Sequence, residues 1–284
     1  MKLSKIFALL LALCLISSAA CAATFTDAHG NVIELDDSLE AYAAVTLVGA
    51  DNAARQGETN LGDLWADALR WFAVSGEINA AFDEDDVKAG NDRIAVDADH
   101  VVALWNGGNL RADIAEGTFG AEALAEVLPF PNKVAVVYMT GAQLLETLEA
   151  ASQGLPYTAE TADACASLMQ VSGLTYTVDT TKAYDALEAY GDHWFTAGSV
   201  SRVRIDDVNG QPFDAEATYA VVTSNANFNG MDSSYVLKAA AEANEQSAVT
   251  TAVVRDVVFR FIAAELNRQI GEAYAAPQGR LTIL

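Results

Sequence analysis

Polar and apolar positions alternate with period two through "TFTDAHGNVIELDD" (24–37), which predicts two short strands joined by a turn at 27–31. The period then changes. Leu61, Leu64, Trp65, Ala68, Leu69 and Phe72 fall at helical spacing, and Asn60 just ahead of them predicts an N-cap, with Asp63 near the exposed N–H groups of the first turn. Residues 76–100 are polar and acidic and read as a solvated excursion. An unbroken apolar run at 101–105 predicts a buried strand that stops at Asn106-Gly107-Gly108. A helix over 119–128, a stop at Leu128-Pro129-Phe130, a strand at 133–139 and a helix at 141–153 follow. "LMQVSGLTYTVD" (168–179) reads as one strand. "SRVRIDDV" and "TYAVVTS" read as two more, with an Asn209-Gly210 turn between them. The apolar positions of 249–274 predict a long amphipathic helix, and "GRLTIL" closes the chain as a strand. This mixture predicts an α/β (α+β) fold, a layered sandwich of mixed sheets flanked by helices.

Composition narrows the function. The 284 residues are 52% hydrophobic, enough for a large core. The charge balance, 16 Lys+Arg against 39 Asp+Glu, argues against duplex nucleic acid as a partner; a small anion would need a local arginine cluster. At the N-terminus, Lys2 and Lys5 precede the apolar run 6–16 and the small residues 17–23, the pattern of a secretory signal. The run is too short to span a bilayer, which takes about 20 apolar residues, and no other transmembrane segment is expected. Cleavage near Ala22 is expected, with acylation of Cys21 as the alternative. The expected organisation is a signal peptide (1–22), an N-terminal extension (23–50) and one domain (51–284), exported to the periplasm or the extracellular space. Of Cys14, Cys21 and Cys165, only Cys165 is expected inside the fold, as a small buried hydrophobe without a disulfide.

Candidate chemistry gathers at the glycine corner. Gly107 and Gly108 let bare backbone approach a ligand. Arg111 supplies a forked cation suited to phosphate oxygens. Phe130 after Pro129 offers a flat ring to a base, and Asp232 an acceptor for ribose hydroxyls or a base edge. "ETNLGDLWADALR" (58–70), "NGGNLRADI" (106–114), "LPFPNKVAVVYMTGAQLLETLE" (128–149), "LMQVSGLTYTVD" (168–179), "YAVVTSNANFNGMDSSY" (219–235) and "QGRLTIL" (278–284) occur in one order. Together they resemble the C-terminal domain of 5′-nucleotidases. The resemblance implies a substrate-binding domain whose catalytic, divalent-metal partner is a separate N-terminal metallophosphoesterase domain. It implies that Asn106 and Arg111 match the Asn and Arg of the glycine motif, that Phe130 is one wall of a base clamp, and that Gly173 lies in the strand backing the pocket. Asp232 matches the acidic residue of a Gly-Gly-Asp-Gly loop, and Arg55 an arginine ahead of the "ETNLG" helix, displaced by one residue. The chain departs from the pattern at Asn109, where a third glycine is usual and where Asn tolerates left-handed backbone. It departs again at Ala226, where the second clamp wall would be Phe, leaving Phe228 as the substitute. The acidic loop reads Gly230-Met231-Asp232-Ser233.

A two-metal centre needs clustered His, Asp and Asn ligands. The chain has only His29, His100 and His193. "TDAHG" (26–30) has the look of a phosphoesterase opening, yet its sequel is missing and a hairpin turn is the better reading. His100 and His193 adjoin Asp99 and Asp192 and read as surface residues. The expectation is therefore an exported nucleotide- or nucleoside-binding domain with no cofactor of its own and no hydrolysis alone. The alternatives are the non-catalytic half of a split hydrolase, with a separately encoded metallophosphoesterase chain as partner, or a repurposed fold binding protein or cell-wall material.

Overall fold

The computed structural model describes residues 23–26, 32–35, 40–185 and 199–284, and the chain divides into two compact units, Met1–Glu40 and Ala41–Leu284. In the first unit, β1 (Ala23–Thr26) and β2 (Val32–Leu35) pair antiparallel, Ala23 opposite Leu35, as the alternation predicts. Their turn, with His29, lies outside the described residues, as does His193.

The second unit runs β3 (Ala41–Ala43), α1 (Ala53–Gln56), α2 (Asn60–Val74), α3 (Glu84–Ala89), β4 (Val101–Asn106), β5 (Gly117–Phe119), α4 (Ala121–Val127), β6 (Lys133–Thr140), α5 (Gly141–Ala151), β7 (Met169–Ser172), β8 (Leu174–Val178), β9 (Val203–Val208), β10 (Thr218–Ser224), α6 (Asn225–Phe228), α7 (Tyr235–Ala243), β11 (Ala248–Val253), α8 (Val254–Ala264), β12 (Gln269–Ile270) and β13 (Leu281–Ile283). It starts at Ala41, ahead of residue 51, because β3 is the central strand of the small sheet β12-β3-β5. A second small sheet has the order β13-β8-β9. The main sheet has the order β11-β6-β10-β4-β7, with β4 and β10 parallel and every other pair antiparallel.

The unbroken apolar runs of β4, β6 and β10 follow from burial on both faces. Val101, Ala103, Trp105, Val136, Tyr138 and Val222 pack under α2 and α8, against Leu64, Trp65, Leu69, Val258 and Phe261. Val102, Leu104, Val137, Met139 and Val221 face the other way, onto Leu144 and Leu148 of α5, Leu237 of α7, and Tyr176 and Ile205 of the β13-β8-β9 sheet. The layered mixed α/β sandwich is thus present. Cys165 is a free, buried thiol, as expected. His100 is half-buried with its ring 5.5 Å from that of Tyr219, so it is packed rather than a plain surface residue.

Three elements differ from the sequence expectation. The cap of α2 is Thr59, whose hydroxyl accepts from Gly62 N at 3.0 Å; Asn60 instead donates from Nδ2 to the carbonyls of Thr46 and Tyr274. The segment 168–179 is two strands in two sheets, broken at Gly173, whose φ of +81° is a conformation L side chains rarely adopt. The segment 249–274 opens as β11, because the β-branched run Val249-Thr250-Thr251 extends the edge of β6; the α-helix is confined to Val254–Ala264, and a single 3-10 turn, Glu272–Tyr274, ends the segment.

The "ETNLGDLWADALR" segment has a structural task. Glu58 accepts the backbone N–H groups of Arg280 and Leu281, Asp63 accepts that of Gln278, and Asp67 accepts from Arg280 Nη2 at 2.8 Å. Helix α2 thereby holds β13 in place beside β8.

Candidate binding site

One end of the main sheet collects the loops that matter. The carboxyl ends of the parallel pair β4 and β10 point to it. The antiparallel neighbours β6 and β7 begin there, with Val134 opposite Ser224 and Met169 opposite Asn106. Ligands of open α/β sheets bind outside the carboxyl ends of the strands, where connections diverge.

Asn106, the last residue of β4, is fully buried. Its Nδ2 donates to Asp232 Oδ2 at 2.8 Å and to the Ala166 carbonyl at 3.3 Å, while its Oδ1 accepts from Asn109 Nδ2 at 2.7 Å. Asp232 reaches this partner through a tight loop. Met231 N donates to the Ala226 carbonyl, and Asp232 and Ser233 take φ of 50° and 60°. Burial pushes the Asp232 carboxyl above the usual carboxylate range; the guanidinium groups of Arg55 and Arg111 and the Asn106 hydrogen bond pull it back. Arg55 is buried on α1, with Nη1 donating to the Ala162 carbonyl at 2.9 Å and lying 3.6 Å from Asp163 Oδ1. Arg111 is exposed. Its guanidinium carbon stands 5.7 Å from the centroid of the Phe130 ring, and its side chain has no protein hydrogen-bond acceptor among the described residues. Phe130 is 42% exposed.

The structure thus brings together Asn106, Asp232, Arg111, Phe130 and Arg55. It places the other expected residues differently. A Cβ on Gly107 would collide with the Ala54 carbonyl, and one on Gly108 would come within 2.6 Å of Ala166 Cβ. These glycines admit protein backbone, not a ligand. Gly173 sits beside Val101, at the amino end of β4 and so at the far end of the strand from Asn106; a Cβ there would meet Arg70. Phe228 is only partly exposed and packs against the same core cluster as Tyr235 and Ala241 of α7.

Two further residues have tasks that their sequence context does not show. Asn109 is buried and fixes which edge of the Asn106 amide faces Asp232; its role is that hydrogen bond, not a left-handed backbone. Gln170 of β7 is buried, accepts from Thr59 N, and donates to the carbonyls of Ala54 and Gly57. It therefore sets the position of α1 and, with it, Arg55. An isolated amide, in the turn after β4 or within β7, carries no sequence signal for either task.

The donor set suits an anion bearing hydroxyl groups. Asp232 faces one amide and two guanidinium groups, an environment that repels a metal cation. Among the described residues no group of three or more His, Cys, Asp and Glu side chains is placed to hold a metal ion, and no helix is long and apolar enough to cross a membrane.

Comparison with known proteins agrees with the fold. The sequence matches the family described as 5′-nucleotidase, C-terminal domain, over residues 40–239. The chain belongs to that family. It is 28% identical over 188 residues to the trifunctional nucleotide phosphoesterase protein YfkN of Bacillus subtilis (strain 168), a match covering 65% of this chain and 10% of that one. The 5′-nucleotidase precursor of Thermus thermophilus superposes with a TM-score of 0.61 at 28% identity, covering 86% of this chain and 39% of that one. The NAD nucleotidase of Haemophilus influenzae superposes at 0.57 with 16% identity, covering 92% and 48%, and shares the fold. The chain therefore spans less than half the length of these relatives.

Proposed function

We propose that this chain is a substrate-binding domain for nucleotides or nucleosides in nucleotide catabolism and is not hydrolytic alone. The observation that carries the reading is the meeting, at one sheet end, of the Asn106–Asp232 hydrogen bond with the guanidinium of Arg111 over Phe130. A carboxylate accepts from sugar hydroxyls, a guanidinium without a protein acceptor takes a phosphate, and an exposed ring takes a base. Membership of the family supports the same assignment. AMP should raise the melting temperature of the purified chain, since a ligand that binds only the folded state stabilises it. Arg111→Ala should abolish that rise, and the same preparation with Mn²⁺ or Zn²⁺ should release no phosphate from AMP. Absence of any shift at millimolar AMP refutes the binding reading; metal-dependent release of phosphate refutes the inactivity.

In a second reading, which membership of the 5′-nucleotidase C-terminal domain family supports, the same site is the non-catalytic half of a split hydrolase whose partner is a separate metallophosphoesterase chain. On that reading AMP turns over only when the two chains are mixed.

A further inference from the structure

We infer that a cleft at the other end of the main sheet, of about 690 Å³, is a second ligand site, and that it takes a short peptide by its two charged ends. The cleft lies where β10 begins and just ahead of β4, a strand's length or about 20 Å from Asn106, and it shares no residue with the site described above. Its volume falls within the range of small-molecule sites, about 300–1,000 Å³.

The frame of the cleft is fixed from the core. In the segment 90–97, Ile94 and Val96 pack against the core cluster under α2 and α8. Tyr138 of β6 holds the backbone beside them: its Oη accepts from Ala95 N at 2.9 Å and donates to the Arg93 carbonyl at 3.4 Å. The buried Asn91 donates from Nδ2 to the Glu245 carbonyl, which joins this segment to the wall that carries Gln246. His100 N donates to the Asp97 carbonyl at 2.9 Å, and the His100 ring lies against that of Tyr219.

The polar heads in that frame are free. Arg93, Asp97, His100, Thr218 and Gln246 line the cleft, and none of their side chains has a hydrogen bond or ion pair to protein among the described residues. One exposed polar side chain is ordinary. Here a guanidinium, a carboxylate, an imidazole, a hydroxyl and an amide converge on one fixed cleft.

The charges decide the ligand. Arg93 offers its forked donors to a carboxylate, and Asp97 offers its oxygens to an ammonium group. An anion alone meets Asp97 and a chain of net charge −23, and a cation alone meets Arg93. No ion pair joins Arg93 to Asp97. A ligand that bridges them must therefore hold its own charges apart, as the termini of a dipeptide do and the neighbouring groups of a single amino acid do not. His100, Thr218 and Gln246 add donors and acceptors for the peptide bond.

Isothermal titration calorimetry of the full chain with L-alanyl-L-alanine tests this, with alanine, the N-acetylated dipeptide, the dipeptide amide and inorganic phosphate as comparisons. The free dipeptide should bind, and each comparison at least about tenfold more weakly. Arg93→Gln and Asp97→Asn change exposed side chains without protein partners, so both variants should melt with the parent. Each should weaken the dipeptide by about tenfold. No dipeptide binding at millimolar concentration, capped forms that bind as well as the free one, or alanine or phosphate binding as tightly would each overturn the inference. So would dipeptide binding that both variants leave intact, since it would lie elsewhere on the molecule.

Discussion

At Asn106 every polar atom of the side chain is committed: Oδ1 to Asn109, Nδ2 to Asp232 and the Ala166 carbonyl. Such a residue is a rigid reference point, because each alternative rotamer leaves a buried amide unsatisfied. The glycines beside it serve the same rigidity from the outside. Gly107 is pressed against the carbonyl of Ala54, a backbone atom that cannot swing aside as a side chain would. Gly107→Ala should therefore cost about 2 kcal/mol or more of folding stability. Gly271, which has open space around it and no left-handed φ, is the control, and its alanine variant should stay within about 0.5 kcal/mol of the parent. Urea titration of the two variants checks this; equal losses would mean that crowding at Gly107 is not what its glycine is for. Asn106, Arg111, Phe130 and Asp232, which the structure brings to one sheet end, were picked out in the sequence because they fall in the motifs that carry the resemblance and because their side chains would suit a phosphate, a sugar and a base. The supporting residues were not, since what Gly107, Asn109 and Gln170 touch is distant in sequence.

Helix α2, through Asp63 and Asp67, and Glu58 just ahead of it are tied to the end of the chain, and one of these carboxyl groups is in an unusual state. Asp63 is fully buried, with Oδ2 accepting from Gln278 N at 3.0 Å and Oδ1 3.8 Å from Arg280 Nε without a hydrogen bond. Burial, reinforced by the nearby Glu58, pushes its pKa up to about 8 although Arg280 draws it down. Asp67 and Tyr274, joined by a 2.9 Å hydrogen bond, complete the surroundings. An unfolded Asp titrates near 3.9. Between those values the native chain keeps a proton that the unfolded chain gives up. The contribution of Asp63 to stability is thus fully present below about pH 4, declines as pH rises and is lost above about pH 8. Asp63→Asn, neutral throughout, should flatten this part of the pH dependence and gain on the parent as pH approaches 8. Denaturant midpoints measured from pH 4 to 9 give the two slopes; superimposable slopes would show that Asp63 titrates normally. At this scale the sequence announced most elements, because β4, β6, β10 and α2 each carry an unmistakable period or run. It missed the break at Gly173 and the strand β11, where a left-handed glycine and a distant sheet edge decide the outcome and local pattern does not.

The whole molecule places its binding end on a sheet that is buried on both faces, so the site rests on a platform with little freedom to yield. Both core clusters are drawn from residues between Ala41 and Tyr274, and the small sheets that close the edges, β12-β3-β5 and β13-β8-β9, lie within Ala41–Leu284 as well. That unit has the size at which a single core is self-sufficient. Its first strand is internal to a sheet, so the cut that separates it from the rest of the chain falls before Ala41 and not at residue 51. A chain trimmed to residues 41–284 should then unfold in one cooperative transition, with a melting temperature within about 3 °C of the full chain and an unchanged response to AMP. Trimming to 51–284 removes β3, leaves β5 and β12 without their common partner, and strips Ile114 of both its backbone hydrogen bonds to Leu47. The longer cut should lower the melting temperature by about 10 °C or more, since buried backbone groups lose their hydrogen bonds and the core loses the fully buried Leu47. Calorimetry of the two trimmed chains against the full one separates the cases. Equal melting temperatures for both would place the boundary at residue 51 after all, and collapse of the 41–284 chain would make the preceding hairpin part of the folding unit.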